Sequence, residues 1–278
     1  MKDRHGSRHS ALPIHGLLNS EHPDMILLRR VYSYSLPLLS AISFVVLLTI
    51  GRSGLLFVFA LTLILAILTG SLLKWEWKRR PFWVFLSMPL VYHISAIFLF
   101  AWLEQPLVQI LLGFVVTFGM WLYSENIFTF YYQPASYQAY ALEYLSLVLY
   151  VLSSFFFVSG AYATQLFLAW PVWLPALIIF LVVLVATFGV LWVSKIEDQT
   201  AWLFSLIGAV LLTELYIVLG LLPISFLANA AVFSIGLYLF LGLSRAHLLD
   251  KLTQKVIRRY VIVGSVLLLF IFATSHWL

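Results

Sequence analysis

Long runs of apolar residues follow one another along the chain, separated by short breaks that contain charged residues, Gly or Pro. A helix of about 20 apolar residues spans a hydrocarbon core roughly 30 Å thick. Measured against this length, the runs predict nine spans, and Pro or Gly marks several of the breaks. The predicted spans are 31–50, 53–73, 81–103, 106–124, two within 144–194 that separate at 170–175, two within 200–243 that separate at 220–223, and 260–276.

This pattern predicts an all-α fold, a polytopic transmembrane helical bundle with about nine spanning helices. The bundle forms a single domain over 31–278, after a polar cytoplasmic tail at 1–30. Interfacial segments at 74–80, 125–143 and 244–259 are expected on the cytoplasmic side. A coarser alternative fuses the seventh and eighth spans and omits the ninth, which is shorter than the others.

Lys and Arg residues are unevenly distributed between the two sets of breaks. Positively charged loops stay on the cytoplasmic side of a membrane. With the N-terminus inside, nine spans place all 16 basic residues except Arg52 in cytoplasmic segments. We therefore predict that the N-terminus is in the cytoplasm and the C-terminus outside, in a bacterial-type cytoplasmic (plasma) membrane.

The composition excludes a water-soluble domain. Apolar residues make up 63% of the chain and charged residues 10%, whereas soluble domains average about 45–50% and 25%. The net charge of +5 does not indicate nucleic-acid binding, because the basic residues lie between spans. The chain has no Cys and no HExxH motif. We predict no cofactor, no metal site and no catalytic residue, and short outer loops make an enzyme the less favoured class.

The segment 125–143 differs from the other larger inner segments because it contains no Lys or Arg. Its Tyr, Asn and Gln side chains offer donors, acceptors and ring faces to a partner or ligand. An ordinary aromatic belt with polar helix caps would explain the same composition. The candidate residues of this cytoplasmic aromatic loop are Glu125, Asn126, Tyr131, Tyr132, Gln133, Tyr137, Gln138, Tyr140 and Glu143.

Three polar side chains, His93, Glu214 and Asn229, fall within predicted spans. Counted at 1.5 Å per residue, all three lie in one layer in the outer half of the membrane. Ionisable groups inside a bilayer are costly and indicate a function or a specific partner. Two interpretations stay open: a proton relay or coupling site, and plain hydrogen bonds between helices.

Basic residues in two inner segments are predicted contacts for anionic lipids of the inner leaflet. In 244–259 the residues Leu248, Leu249, Leu252 and Val256 share one helical face, which predicts a helix lying on the inner surface. Ordinary topology anchors are the competing interpretation. The predicted lipid contacts are Lys74, Lys78, Arg79, Arg80, Lys251, Lys255, Arg258 and Arg259.

The sequence favours a non-catalytic membrane subunit or scaffold that docks a membrane-protein partner through the aromatic loop. The alternative is a small-solute or proton-coupled transporter that uses the polar layer around Glu214. Transport requires a polar path or discontinuous helices. Pro37 and the region of Gly160 are the internal breaks that the sequence indicates.

Overall fold

The computed structural model describes residues 23–138 and 141–275. These residues form nine α-helices and two short 3-10 turns, at Gly51–Gly54 and Pro134–Ser136. The helices are α1 (Pro23–Ile50), α2 (Leu55–Leu72), α3 (Arg80–Phe100), α4 (Pro106–Tyr132), α5 (Ala141–Leu168), α6 (Trp173–Val193), α7 (Asp198–Leu219), α8 (Phe226–Leu248) and α9 (Gln254–Thr274).

Each of the nine described helices is long and apolar enough to cross a bilayer. A helix satisfies its backbone polar groups internally, which is the condition for crossing hydrocarbon. The chain is therefore a multi-span integral membrane protein, and the predicted all-α class is confirmed. The coarser alternative is wrong, because α7 and α8 are separate helices and α9 is itself long enough to span.

The local sequence explains several helix starts. Pro81 and Pro106 lie in the first turns of α3 and α4, where the missing N–H costs little. The Ser225 hydroxyl accepts a hydrogen bond from the backbone N–H of Ala228 and so caps α8. The predicted internal breaks are wrong, because α1 continues through Pro37 and α5 through Gly160.

Two predicted boundaries are corrected by the structure. α1 begins at Pro23, so Arg29 and Arg30 are part of the helix rather than of a polar tail. α4 continues past the predicted end at residue 124 to Tyr132. The connection between α4 and α5 is therefore much shorter than the loop expected over 125–143.

The surface helix expected over 244–259 is also wrong. Ser244 to Leu248 complete α8, the chain turns at Asp250 with φ +54°, and α9 begins at Gln254. The Thr253 hydroxyl accepts a hydrogen bond from the backbone N–H of Val256, which starts the new helix. The shared apolar face is consequently divided between two helices.

Helix packing is centred on α5, the most buried of the nine described spans. α5 contacts α3 on one side and α8 on another, while α1 packs on α4 and α6 on α7. α9 is the least buried span, and its main neighbour is α8.

Polar contacts join the helix ends that carry the basic residues. Arg30 at the start of α1 pairs with Glu125 near the end of α4, and Arg80 at the start of α3 pairs with Asp198 at the start of α7. Arg29 donates to the backbone carbonyl of Ser71 at the end of α2. These contacts place the starts of α1, α3 and α7 beside the ends of α2 and α4; we call this side of the bundle the basic end.

Candidate functional site

The segment predicted as an aromatic loop begins within α4. The Glu125 Oε1 accepts a hydrogen bond from the Arg30 guanidinium at 2.9 Å, and the same guanidinium nitrogen lies 2.8 Å from Oε2 in an ion pair. The Arg30 guanidinium also lies 4.7 Å from the ring centroid of Tyr34 and 4.6 Å from that of Phe128. The Asn126 amide donates to the backbone carbonyl of Leu122 at 2.8 Å. Both polar side chains are thus engaged within the bundle.

Tyrosines from the same segment are packed against the helices. The Tyr132 hydroxyl donates to the backbone carbonyl of Leu72 at 2.8 Å, and the Lys74 ammonium lies 5.0 Å from the Tyr132 ring centroid. The Tyr131 ring meets Phe85 edge-on at a centroid distance of 6.4 Å. These contacts tie the end of α4 to α2 and α3.

Tyr137 fixes the connection from the α5 side. Its hydroxyl accepts a hydrogen bond from the backbone N–H of Leu142 at 3.0 Å, and its ring meets Phe130 edge-on at 5.2 Å. Tyr131, Tyr132 and Tyr137 together form the packed base of the loop.

The exposed part of the loop is short. Gln133, Gln138 and the 3-10 turn Pro134–Ser136 are all exposed, and we call this set the loop tip. Its side chains are neutral. Of the remaining predicted residues, Tyr140 and the side chain of Glu143 lie outside the described part of the chain.

His93 lies in the interior of the bundle. Its side chain is fully buried, and its Nδ1 is 3.3 Å from the Ser40 hydroxyl of α1. The ring of Phe44 meets the imidazole edge-on at a centroid distance of 5.8 Å. Its Nε2 has no hydrogen-bond partner among the described residues. His93 therefore links α3 to α1.

The two other members of the predicted polar layer lie in different surroundings. Asn229 of α8 is buried, and its Oδ1 has no hydrogen-bond partner within the described residues. Glu214 of α7 is exposed, and the neighbouring side chains on that face, Val210, Leu211, Ile217 and Val218, are exposed as well. The Glu214 carboxyl thus faces away from the bundle that contains His93 and Asn229.

The predicted lipid contacts fall into two groups. Around the turn from α2 to α3, Arg79 pairs with Glu76 at 3.0 Å, Arg80 pairs with Asp198, and the Lys78 ammonium lies 6.0 Å from a Trp77 ring. At the start of α9 the basic side chains are exposed at the surface. This second group comprises Lys251, Lys255, Arg258 and Arg259.

Sequence reasoning missed a cavity at the other end of the bundle, away from the basic end. It lies between the ends of α1, α3 and α5 and the starts of α2 and α4, and Trp102, Glu104 and Gln109 are among its lining residues. The sequence signal for it is weak: Glu104 lies two residues after Trp102 in the short turn between α3 and α4. Within the described residues no cluster of His, Asp and Glu has the arrangement of a metal site.

Comparison of the chain with protein-family models, curated proteins and solved structures finds no match.

Proposed function

We propose that the chain is a non-catalytic subunit of a membrane complex and docks a partner protein through the loop tip. The observation that carries this proposal is the contrast between the packed base and the exposed tip. At the base, the Tyr132 hydroxyl donates to the Leu72 carbonyl and the Tyr137 hydroxyl accepts from the Leu142 N–H. At the tip, Gln133 and Gln138 are exposed.

A tip held in this way suits protein recognition. Because the base is already ordered, a partner meets a surface that loses little conformational freedom on binding. Gln side chains both donate and accept hydrogen bonds. The neutral tip offers no cation to an anionic lipid, whereas its amides match the polar groups of a protein surface.

Glu214 supports the same class of function. A carboxyl on an apolar, outward-facing helix surface is costly in lipid unless it meets a hydrogen-bonding group. A transmembrane helix of the partner, carrying a donor such as Asn, Gln or a basic residue, would supply one. The outward position of Glu214 suits this contact better than a relay through His93.

The test is purification of the tagged protein from its native membrane in a mild detergent, followed by mass spectrometry of the proteins that remain bound. We compare the wild type with the double variant Gln133→Lys/Gln138→Lys. Two added charges oppose burial of the tip against a partner. We therefore expect a stoichiometric partner with the wild type and its loss from the variant.

The matched control is the double variant Gln199→Lys/Gln254→Lys. It makes the same chemical change at two exposed Gln residues, in the first turns of α7 and α9 and outside the loop tip. Partner retention in this control is expected. The proposal would be overturned if the wild type purified without a stoichiometric protein partner. It would also be overturned if both double variants retained the partner equally.

A further inference from the structure

The cavity away from the basic end has a volume of about 430 Å³. Leu47 of α1, Leu55 of α2 and Phe100 of α3 contribute apolar wall. This volume is in the range of pockets that hold small ligands. The cavity is large enough, and its lining apolar enough, to hold an alkyl chain.

One wall of the cavity is aromatic. The rings of Trp102 and Phe167 stack at a centroid distance of 5.7 Å with an interplanar angle of 13°. The Trp102 indole N–H is buried and has no hydrogen-bond partner among the described residues. Stacked rings provide both apolar contact and the electron-rich faces that attract organic cations.

The polar part of the lining favours a cation. Glu104 is exposed, and among the side chains that the structure describes it is the single charged one lining the cavity. Gln109 donates its side-chain N–H to the Leu103 carbonyl at 2.6 Å, and its amide oxygen is a further acceptor. A carboxylate, an amide oxygen and aromatic rings beside an apolar wall form a lining that suits an ammonium group with an attached chain.

We propose that this cavity binds an amphiphile with an ammonium headgroup, with Glu104 as the counter-ion. The alkyl chain lies along Leu47 and Leu55, and the headgroup lies toward Glu104 and Gln109. The ammonium group belongs either to a membrane lipid, such as a phosphatidylethanolamine, or to a free alkylamine. The proposal is independent of partner docking at the loop tip.

The experiment is native mass spectrometry of the full chain in a non-ionic detergent. The probes are dodecylammonium, dioctanoyl phosphatidylethanolamine, dioctanoyl phosphatidylglycerol and dodecyl sulfate. We expect saturable one-to-one binding of dodecylammonium to the wild type. Removal of the counter-ion in Glu104→Gln should weaken that binding about tenfold, the effect expected for loss of a charge-assisted hydrogen bond.

Glu197→Gln is the matched control, because Glu197 is an exposed carboxylate outside the cavity, at the start of α7. It should bind dodecylammonium as the wild type does. Ala101→Phe is a second variant, which places a ring in the cavity that Ala101 lines. It should prevent dodecylammonium from binding, although the Glu104 carboxylate and its charge are retained.

The probes distinguish the two sources of the headgroup. Glu104-dependent binding of both phosphatidylethanolamine and dodecylammonium supports a lipid, and such binding of dodecylammonium alone supports a free amphiphile. Equal binding of phosphatidylglycerol or dodecyl sulfate would overturn the proposal. Equal binding of dodecylammonium by the Glu104→Gln and Glu197→Gln variants would also overturn it.

Discussion

Buried hydroxyl groups in the bundle mostly donate to carbonyls of their own helices. The hydroxyls of Thr62, Ser153 and Thr164 each bond the carbonyl four residues earlier, at 2.8, 2.7 and 2.7 Å. Such bonds satisfy a polar side chain without linking it to another helix. The buried Ser and Thr residues are therefore poor markers of a solute path, and His93 differs because its bond reaches Ser40 on another helix.

Close contact between α3 and α4 depends on the absence of a side chain at Gly119. A Cβ at this position would lie 2.6 Å from the Tyr92 hydroxyl oxygen and 2.8 Å from a ring carbon. Tyr92 is fully buried and donates to the Val115 carbonyl at 3.0 Å. We expect Gly119→Ala to lower the free energy of unfolding by about 1–3 kcal/mol. A lower thermal midpoint in detergent would report this loss.

Gly220→Ala is the control for this prediction. A Cβ at Gly220 would lie 3.3 Å from its nearest side-chain atom, on Tyr162, and the backbone has φ −61°, which Ala adopts readily. Its thermal midpoint should stay close to that of the wild type. Similar losses in the two variants would show that the Tyr92 contact does not govern the effect.

At the scale of the helices, apolar length was enough to predict their number and most of their turns. The end of α4 could not be predicted this way, because Glu125 and Asn126 resemble loop residues in sequence. Inside the helix the Glu125 carboxylate pairs with Arg30, which is distant along the chain, and the Asn126 amide donates to the Leu122 carbonyl. The break between α8 and α9 within 244–259 had a local sequence signal, the N-cap residue Thr253. The apolar residues of this segment nevertheless recur at helical spacing, which favoured one continuous helix.

The contact between α1 and α4 near the basic end includes the pair of Arg30 and Glu125. Each side chain is about one-third exposed, with 32% and 34% of its surface accessible. Glu125→Arg replaces attraction with repulsion beside the Tyr34 and Phe128 rings. We expect it to lower the free energy of unfolding by about 2 kcal/mol, measured by chemical denaturation in detergent.

The swapped variant Arg30→Glu/Glu125→Arg should recover part of this loss. Recovery stays incomplete because the swap removes the guanidinium from its positions over Tyr34 and Phe128. Glu76→Arg is the control, since its partner Arg79 is more exposed and lies only three residues away. A loss in Glu76→Arg as large as that in Glu125→Arg would contradict a specific α1–α4 link.

At the scale of the whole molecule, the sequence predicts which helix ends share a side, and the contacts of Arg29, Arg30 and Arg80 agree with that arrangement. The sequence could not predict the cavity, because its wall comes from five helices and Glu104 gains its neighbours only after packing. Nor could it place Glu214, since both faces of α7 are largely apolar and give no sign of which one packs inward.

The direction of the bundle in the membrane is a prediction that the chain itself makes easy to test, since it contains no Cys. Single Cys residues are introduced at exposed turns, in Ser136→Cys and Leu252→Cys on one side and Gln105→Cys and Leu221→Cys on the other. In intact cells a membrane-impermeant maleimide should label only the second pair, because basic segments stay inside. Ser136→Cys and Leu252→Cys should react only after permeabilisation. The reverse labelling pattern would show that the bundle has the opposite orientation in the membrane. Labelling of Leu252→Cys together with Gln105→Cys in intact cells would contradict the nine-span topology.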